Sequence, residues 1–352
     1  MAETAPVARP AGPPAAAPTA ASTDVEDPDR GGPGADGRPP AARVAAWAEL
    51  LRLPALFTVP GDVLAGAAAT GVRAGPRTLL AIGTSLCLYE AGMALNDWAD
   101  RAEDAAERPH RPIPSGRVHP AAALTAACGL TATGLALAAR AGRPAVAVAV
   151  PLAATVWAYD LTLKHTPAGP LAMAAARGLD LLLGAAATGG DVRAAVPSAA
   201  LLGTHTLAVT AVSREETRGG SSLAPLAALA ATGLLARLVA HRPTRLPADR
   251  RGAATPGLPG PTARRRDVSG LSAARATAAL TAGYAATAAR PYFHAALNPS
   301  PQLTQRAVGG GIRATIPLQA ALTARAGGPA TALLIAALAP LGRKFARKVS
   351  IT

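Results

Sequence analysis

Aromatic residues are scarce in this chain of 352 residues: three Phe, three Trp and four Tyr. The hydrophobic half of the sequence is therefore carried by aliphatic and small side chains, Ala above all. Cysteine is nearly absent. Cys87 and Cys128 both fall in apolar stretches, where they read as small packing residues rather than a disulfide or a metal site. The amino terminus lacks both a basic start and an apolar core, so no cleaved signal peptide is expected and the first span is expected to serve as the insertion signal. Charged faces recurring every ~3.6 residues are also missing, and an Ala-rich soluble helical globule would need them. No nucleic-acid reading element accompanies the formal charge of +14, so no nucleic-acid partner is expected.

What is present is a series of long uncharged runs. Pro120 to Ala139 is 20 residues without a charge, and Ala194 to Ser213 is another 20 in which His205 is the one ionisable side chain. A helix needs ~20 residues to cross ~30 Å of hydrocarbon, so both read as membrane spans. The positive charge sits in loops and ends, as expected for topology signals and contact with anionic lipid headgroups. Small residues suit close helix packing in lipid. Residues 1–43, rich in Ala, Pro, Gly and Asp, read as a disordered tail, and residues 44–352 as a single transmembrane domain. Pro/Gly and charge clusters place spans near 54–72, 78–96, 120–139, 144–160, 170–189, 194–212, 222–240 and 269–289, with one or two more between 303 and 342. Residues 241–268 read as a Pro/Arg-rich linker. The segment Thr304–Arg325, with its arginines and glutamines, either crosses or lies along the interface. With a cytoplasmic amino terminus, the loops after spans two, four and six share the cytoplasmic face, while the linker falls outside against the positive-inside tendency.

The densest chemistry is Asn96-Asp97-Trp98-Ala99-Asp100-Arg101-Ala102-Glu103-Asp104 at the end of span two. Asp97, Asp100 and Asp104 are spaced i, i+3, i+7, which lines three carboxylates along one face if the helix continues through them. Such a row repels itself unless a cation sits against it. Mg²⁺ prefers carboxylate oxygen and is usually completed by substrate phosphates. A solvated acidic loop is the plain alternative for an isolated pair. Here Arg108, Arg111, the rigid turn Pro112-Ile113-Pro114-Ser115-Gly116 and Arg117 follow at once, and arginines grip diphosphate in bidentate fashion.

NDWADRAEDAAERPHRPIPSGR resembles the first signature of the UbiA prenyltransferase superfamily, an NDxxDxxxD pattern followed by an RPIPSGR-like turn. Leu51-Arg52-Leu53-Pro54, and Tyr159 with Leu163-Lys164-x-Thr166, agree as well, so the resemblance covers most of residues 47–345. LRLPALFTVPGDVLAG and RGLDLLLGAA are most similar to the EboC-like branch of bacterial biosynthetic operons. The resemblance implies an all-α integral membrane bundle of about nine transmembrane helices around a cavity that opens sideways to lipid. It also implies an enzyme that ionises an isoprenyl diphosphate with Mg²⁺ and transfers the prenyl group to a small acceptor. Carried over by position, Asn96, Asp97, Asp100 and Asp104 form the first metal-diphosphate site, with Arg111 and Arg117 beside it. Lys164 neutralises diphosphate oxygens, and Tyr159 borders the allylic carbon. The second family motif departs: Ser213-Arg214-Glu215-Glu216-Thr217-Arg218 stands where an Asp cluster is usual. Glu215 and Glu216 offer oxygen to a cation, and Arg214 or Arg218 offers charge to the diphosphate. A non-catalytic isoprenoid-binding or transport scaffold is the alternative, and the altered second motif is its support.

Inside the spans, Asp62, Glu90, Arg177, Asp180 and His205 are costly in hydrocarbon and are expected to face a cavity or a partner. Arg177 and Asp180, three residues apart, could pair with each other. His205 could bond an acceptor or a backbone carbonyl.

Overall fold

The computed structural model describes residues 39–216, 221–241 and 261–349. They form α1 (Pro40–Leu50), α2 (Pro60–Ala69), α3 (Pro76–Ala99), α4 (Arg101–Glu107), α5 (Pro120–Ala141) and α6 (Arg143–Ala158). After these come α7 (Gly169–Thr188), α8 (Val196–Ser213), α9 (Leu223–Ala240), α10 (Pro261–Leu297), α11 (Pro301–Arg325) and α12 (Pro329–Val349). No strand occurs among the described residues. Proline punctuates this order, standing at or next to the first residue of every helix except α4 and α9. Its fixed φ suits the first turn, and its missing N–H costs nothing there.

Packing depends on small side chains. Gly66 of α2 lies against the Leu181 carbonyl of α7, and Gly184 of α7 lies against the Val63 carbonyl of α2; a Cβ at either glycine would overlap that oxygen. This backbone contact brings α2 into the bundle. One apolar cluster joins Leu181, Leu202, Val209, Leu235, Tyr284, Tyr292 and Leu318 across α7 to α11. Another joins Ala46, Leu50, Ala94, Leu95, Ile113 and Ala127, so Ile113 of the proline-rich turn anchors the loop after α4 to α1, α3 and α5.

Several expectations change. Of the expected tail, residues 1–38 lie outside the described residues, whereas 40–43 begin α1. Most of the expected linker, 242–260, also lies outside them, but 261–268 are already helical in α10, which starts at Pro261. The first expected span is broken: a 3-10 helix, Leu53–Thr58, precedes α2, because Pro54 and Pro60 each restart the backbone. The segment Thr304–Arg325 does not lie along a surface. It is the interior part of α11, whose Ala307, Gly310, Ala314, Leu318, Ala321 and Leu322 are buried among α2, α8, α10 and α12.

Six described helices are long and apolar enough to cross a membrane: α3, α5, α6 with the turn after it, α7, α8 with the turn before it, and α9. A seventh is reached if the bent pair of α1 and Ala55–Ala69 counts as one span. The expected count of about nine is not met by this measure. Charged and polar side chains such as Arg306, Arg313 and Gln319 interrupt the later helices.

Candidate active site

The acidic row forms where α3 ends. Backbone bonding continues through it, with Asp100 N–H to the Asn96 carbonyl at 2.9 Å and Asp104 N–H to the Asp100 carbonyl at 2.8 Å. The helix nevertheless breaks at Asp100, whose ψ of 1° ends α3 and starts α4. The three carboxylates therefore do not lie on one unbroken helical face, because a residue with ψ near zero cannot propagate the α-helix.

Each acid meets at least one cation. Arg52 donates to Asp97 at 3.0 Å; Arg111 donates to Asp104 at 2.7 Å and stands 3.7 Å from Asp97. Arg108 adds a second contact to Asp104 at 3.4 Å. Lys164 pairs with Asp100, which also accepts from the Asn96 amide at 2.6 Å. Asp97 and Asp104 are buried. Asp100, Glu103 and His165 each place one ligand atom within 4.8 Å of the other two.

Two local distortions aim these groups. Arg52 adopts the left-handed region, with φ 49° and ψ 45°, between α1 and the 3-10 helix. A bulky side chain seldom sits there, and such strain concentrates at functional sites. At the end of α6 the chain forms a π turn, Tyr159–Leu163, closed by Lys164 N–H to the Tyr159 carbonyl at 2.9 Å. The extra residue turns Tyr159 and Asp160 toward the interior while Lys164 reaches Asp100.

Below the row lies a cavity of about 490 Å³, bounded by α3, α6, α7, α8 and α11. Arg52, Asn96, Tyr159 and Asp160 line its mouth, and Leu88, Met93, Leu152, Val156, Val209 and Ile312 its wall. The far end is polar. Ser85 donates to Asp180 at 2.6 Å; Arg177 binds Asp62 at 2.6 Å; Gln319 donates to Asp62 at 2.6 Å and to the Thr58 carbonyl at 2.7 Å. His205 meets the Gly311 carbonyl at 3.1 Å and the Tyr284 hydroxyl at 3.2 Å. Arg177 thus pairs with Asp62 rather than with Asp180, because α2 lies within reach of its guanidinium.

Other sequence-derived candidates lie elsewhere. Arg117 forms a bidentate pair with Glu49, at 2.5 and 3.0 Å, and also donates to the His110 carbonyl at 2.6 Å. Arg214 donates to the Thr166 carbonyl at 2.5 Å. Arg218 lies outside the described residues. Glu215 and Glu216 follow α8 and are half-buried. Burial pushes the Glu216 carboxyl up, with Arg108 opposing, so the loop after α8 lies near the loop after α4. Glu90 is buried with no hydrogen-bond partner and is not part of the cavity wall. Arg52 and Asp160 were missed as site residues. A charge two residues before a proline and an acid next to Tyr159 within an apolar run were the available signals.

The sequence profile of the UbiA prenyltransferase family matches residues 55–242. The chain belongs to the UbiA prenyltransferase family. With its six apolar helices, this makes it a multi-pass membrane protein. Among named relatives, a digeranylgeranylglyceryl phosphate synthase of Natronomonas pharaonis is 34% identical over 168 residues, 47% of this chain and 61% of the relative. One of Methanopyrus kandleri is 36% identical over 127 residues, 35% of this chain and 45% of the relative. The chain spans about half the length of the relatives it matches. Solved UbiA homologues share the fold. One from Archaeoglobus fulgidus bound to GPP and Mg²⁺ aligns with TM-score 0.52 at 18% identity, covering 79% of this chain and 99% of that one. One from Aeropyrum pernix K1 aligns with TM-score 0.51 at 17% identity, covering 73% and 96%.

Proposed function

We propose that the protein is an intramembrane prenyltransferase, which transfers an isoprenyl group from its diphosphate to a small acceptor in a biosynthetic pathway. One observation carries this reading. Three carboxylates stand beside the mouth of a cavity with a largely apolar wall, each met by a cation on a long side chain. The relatives named digeranylgeranylglyceryl phosphate synthase, and the homologue bound to GPP and Mg²⁺, support the same chemistry.

The donor set suits Mg²⁺, which favours carboxylate and amide oxygen over nitrogen or sulfur. Asn96, Asp97, Asp100 and Asp104 would hold it, with Glu215 and Glu216 approaching from the loop after α8. When bound, it supplies Lewis-acid withdrawal of charge from the diphosphate. Arg52, Arg111 and Lys164, which balance the acids, would turn their N–H donors toward the phosphate oxygens, and Arg214 and Arg218 are near enough in sequence to the second loop to add charge. The bond from the allylic carbon to oxygen breaks with its electron pair leaving on the diphosphate, whose charge these cations take up. Tyr159 and Asp160 border the allylic carbon as positive charge develops. Leu88, Val156 and Val209 keep water from it. A nucleophilic atom of the acceptor then forms the new bond and releases its proton. The closeness of Glu216 to Arg108 supports placing both acidic loops on one face, which we assign to the cytoplasm of the cell membrane.

The test is release of pyrophosphate by purified protein in detergent, given geranyl, farnesyl or geranylgeranyl diphosphate with Mg²⁺. Mg²⁺-dependent release is expected. Binding without release would move the reading to a non-catalytic scaffold, and absence of binding by all three would remove both.

A further inference from the structure

We infer that the polar floor of the cavity sets the length of the isoprenyl tail the protein accepts, with a limit near three isoprene units. This rests on the prenyl-transfer reading and adds a specificity that the family alone does not supply.

The argument is geometric. Asn96 marks the mouth and Ser85 the floor on the same helix, α3, and both line the cavity. Their separation along the helix is about 16 Å at ~1.5 Å per residue. An extended isoprene unit, four carbon–carbon bonds of ~1.5 Å each at tetrahedral angles, spans about 5 Å. Three units fill the distance. The wall between is largely apolar, with Tyr89, Thr206 and Thr210 as its hydroxyl side chains, and suits such a tail.

A fourth unit would meet Ser85, Arg177, Asp180, His205 and Thr315. Arg177 is taken by Asp62, and the donor on Asp180 is the Ser85 hydroxyl. Asp180 is itself buried, and no donor reaches its Oδ1. A hydrocarbon end pressed there strips these groups of water and returns no hydrogen bond, which is unfavourable. The floor also resists retreat. Ser85, Asp62, Gln319 and Tyr284 hold its members at 2.6 to 3.2 Å. The plain alternative is that these groups only satisfy one another inside the bundle and never meet the tail.

Two variants act in opposite directions. Asp180→Ala removes a carboxylate from the floor and opens space, while Arg177 keeps its partner Asp62. Ala176→Phe adds a ring one helical turn nearer the mouth, about 6 Å, or close to one isoprene unit. The measurement is the dissociation constant of the S-thiolodiphosphates of geraniol, farnesol and geranylgeraniol, by calorimetry on detergent-purified protein with Mg²⁺. Wild type should tighten from geranyl to farnesyl and weaken at least tenfold at geranylgeranyl. Asp180→Ala should close that gap, and Ala176→Phe should make geranyl the best ligand. Should Asp180→Ala not fold, the wild-type series and Ala176→Phe still decide the matter. Tightening that continues to geranylgeranyl in wild type, or an order unchanged by Ala176→Phe, overturns the inference alone. Absence of binding by all three removes the prenyl-transfer reading beneath it.

Discussion

The mouth and the floor of the cavity both set arginine against aspartate, and they do so in opposite ways. At the mouth the side chains of Arg52 and Arg111 are 40% and 24% exposed, and their acids are shared among several cations. At the floor Arg177 is 16% exposed and is committed to Asp62, which is fully buried and fixed again by Gln319. At the mouth the cations are the exposed partners and each buried acid has a second cation in reach, so these contacts can exchange. Buried pairs hold their geometry, and breaking one by removal of a single partner is costly. The mouth is therefore built for ligand exchange and the floor for shape.

Replacement of Arg177 by Leu should show this difference most strongly. Asp62 would be left as an uncompensated buried charge, and stability should fall by ~3 to 5 kcal/mol. Replacement of Arg52 by Leu at the mouth should cost less, because the buried Asp97 keeps Arg111 3.7 Å away. Thermal unfolding of the two variants in detergent makes the comparison, and equal losses would erase the distinction drawn here.

Asp100→Asn should act on turnover instead. The amide keeps the shape of the side chain but removes the charge that meets Lys164 and that, under the proposed function, would meet Mg²⁺. Pyrophosphate release should fall on the order of 10²-fold or more, as for loss of one preorganised contact to developing charge, with unfolding temperature preserved. Glu215→Gln and Glu216→Gln should each do less, and their double replacement more than the sum, since neighbouring acids can substitute for one another. Wild-type rates in Asp100→Asn would give the non-catalytic scaffold precedence.

Lys164→Met comes next. A charge-assisted contact to diphosphate is worth ~1.5 to 3 kcal/mol, or roughly tenfold to a hundredfold in affinity. The KM for the diphosphate should rise by that factor while the KM for the acceptor stays within about twofold. An unchanged KM would confine Lys164 to balancing Asp100.

The sequence was most legible where composition and local spacing carry the meaning. Apolar runs near 120–139, 144–160, 170–189, 194–212 and 222–240 became α5 to α9 within a few residues, since hydropathy and proline starts are local properties. The motif from Asn96 to Arg117 was recognisable for the same reason. The break at Asp100 was not, because it depends on a single ψ angle. The floor was also hidden. Asp62, Arg177, Asp180 and Gln319 lie on α2, α7 and α11, and the pairing of Arg177 with Asp62 requires the glycine contact that draws α2 against α7. The α11 segment misled for a related reason: Gln319 looks like a surface residue until Asp62 is placed beside it.

The smallest effect expected is that of Arg117→Ala, and it separates two roles for a residue in the loop of the acidic row. Its position after the proline-rich turn suggests a diphosphate ligand. In the structure its guanidinium is taken up by Glu49 and the His110 carbonyl, which ties α1 to that turn. Glu49 holds the Arg117 guanidinium above its ordinary range. The side chains of Arg117 and Glu49 are 33% and 45% exposed, so solvent screens the pair and its loss should cost less than ~1 kcal/mol. Glu49→Gln should cost slightly less than Arg117→Ala, which also gives up the His110 carbonyl, and the double variant little more than Arg117→Ala, because both break the same ion pair. Raising ionic strength should shrink the difference from wild type. The diphosphate KM should stay within about twofold in both single variants. A tenfold rise in Arg117→Ala without the same rise in Glu49→Gln would show that the guanidinium leaves Glu49 for the substrate, and would extend the exchangeable mouth one residue beyond the acidic row.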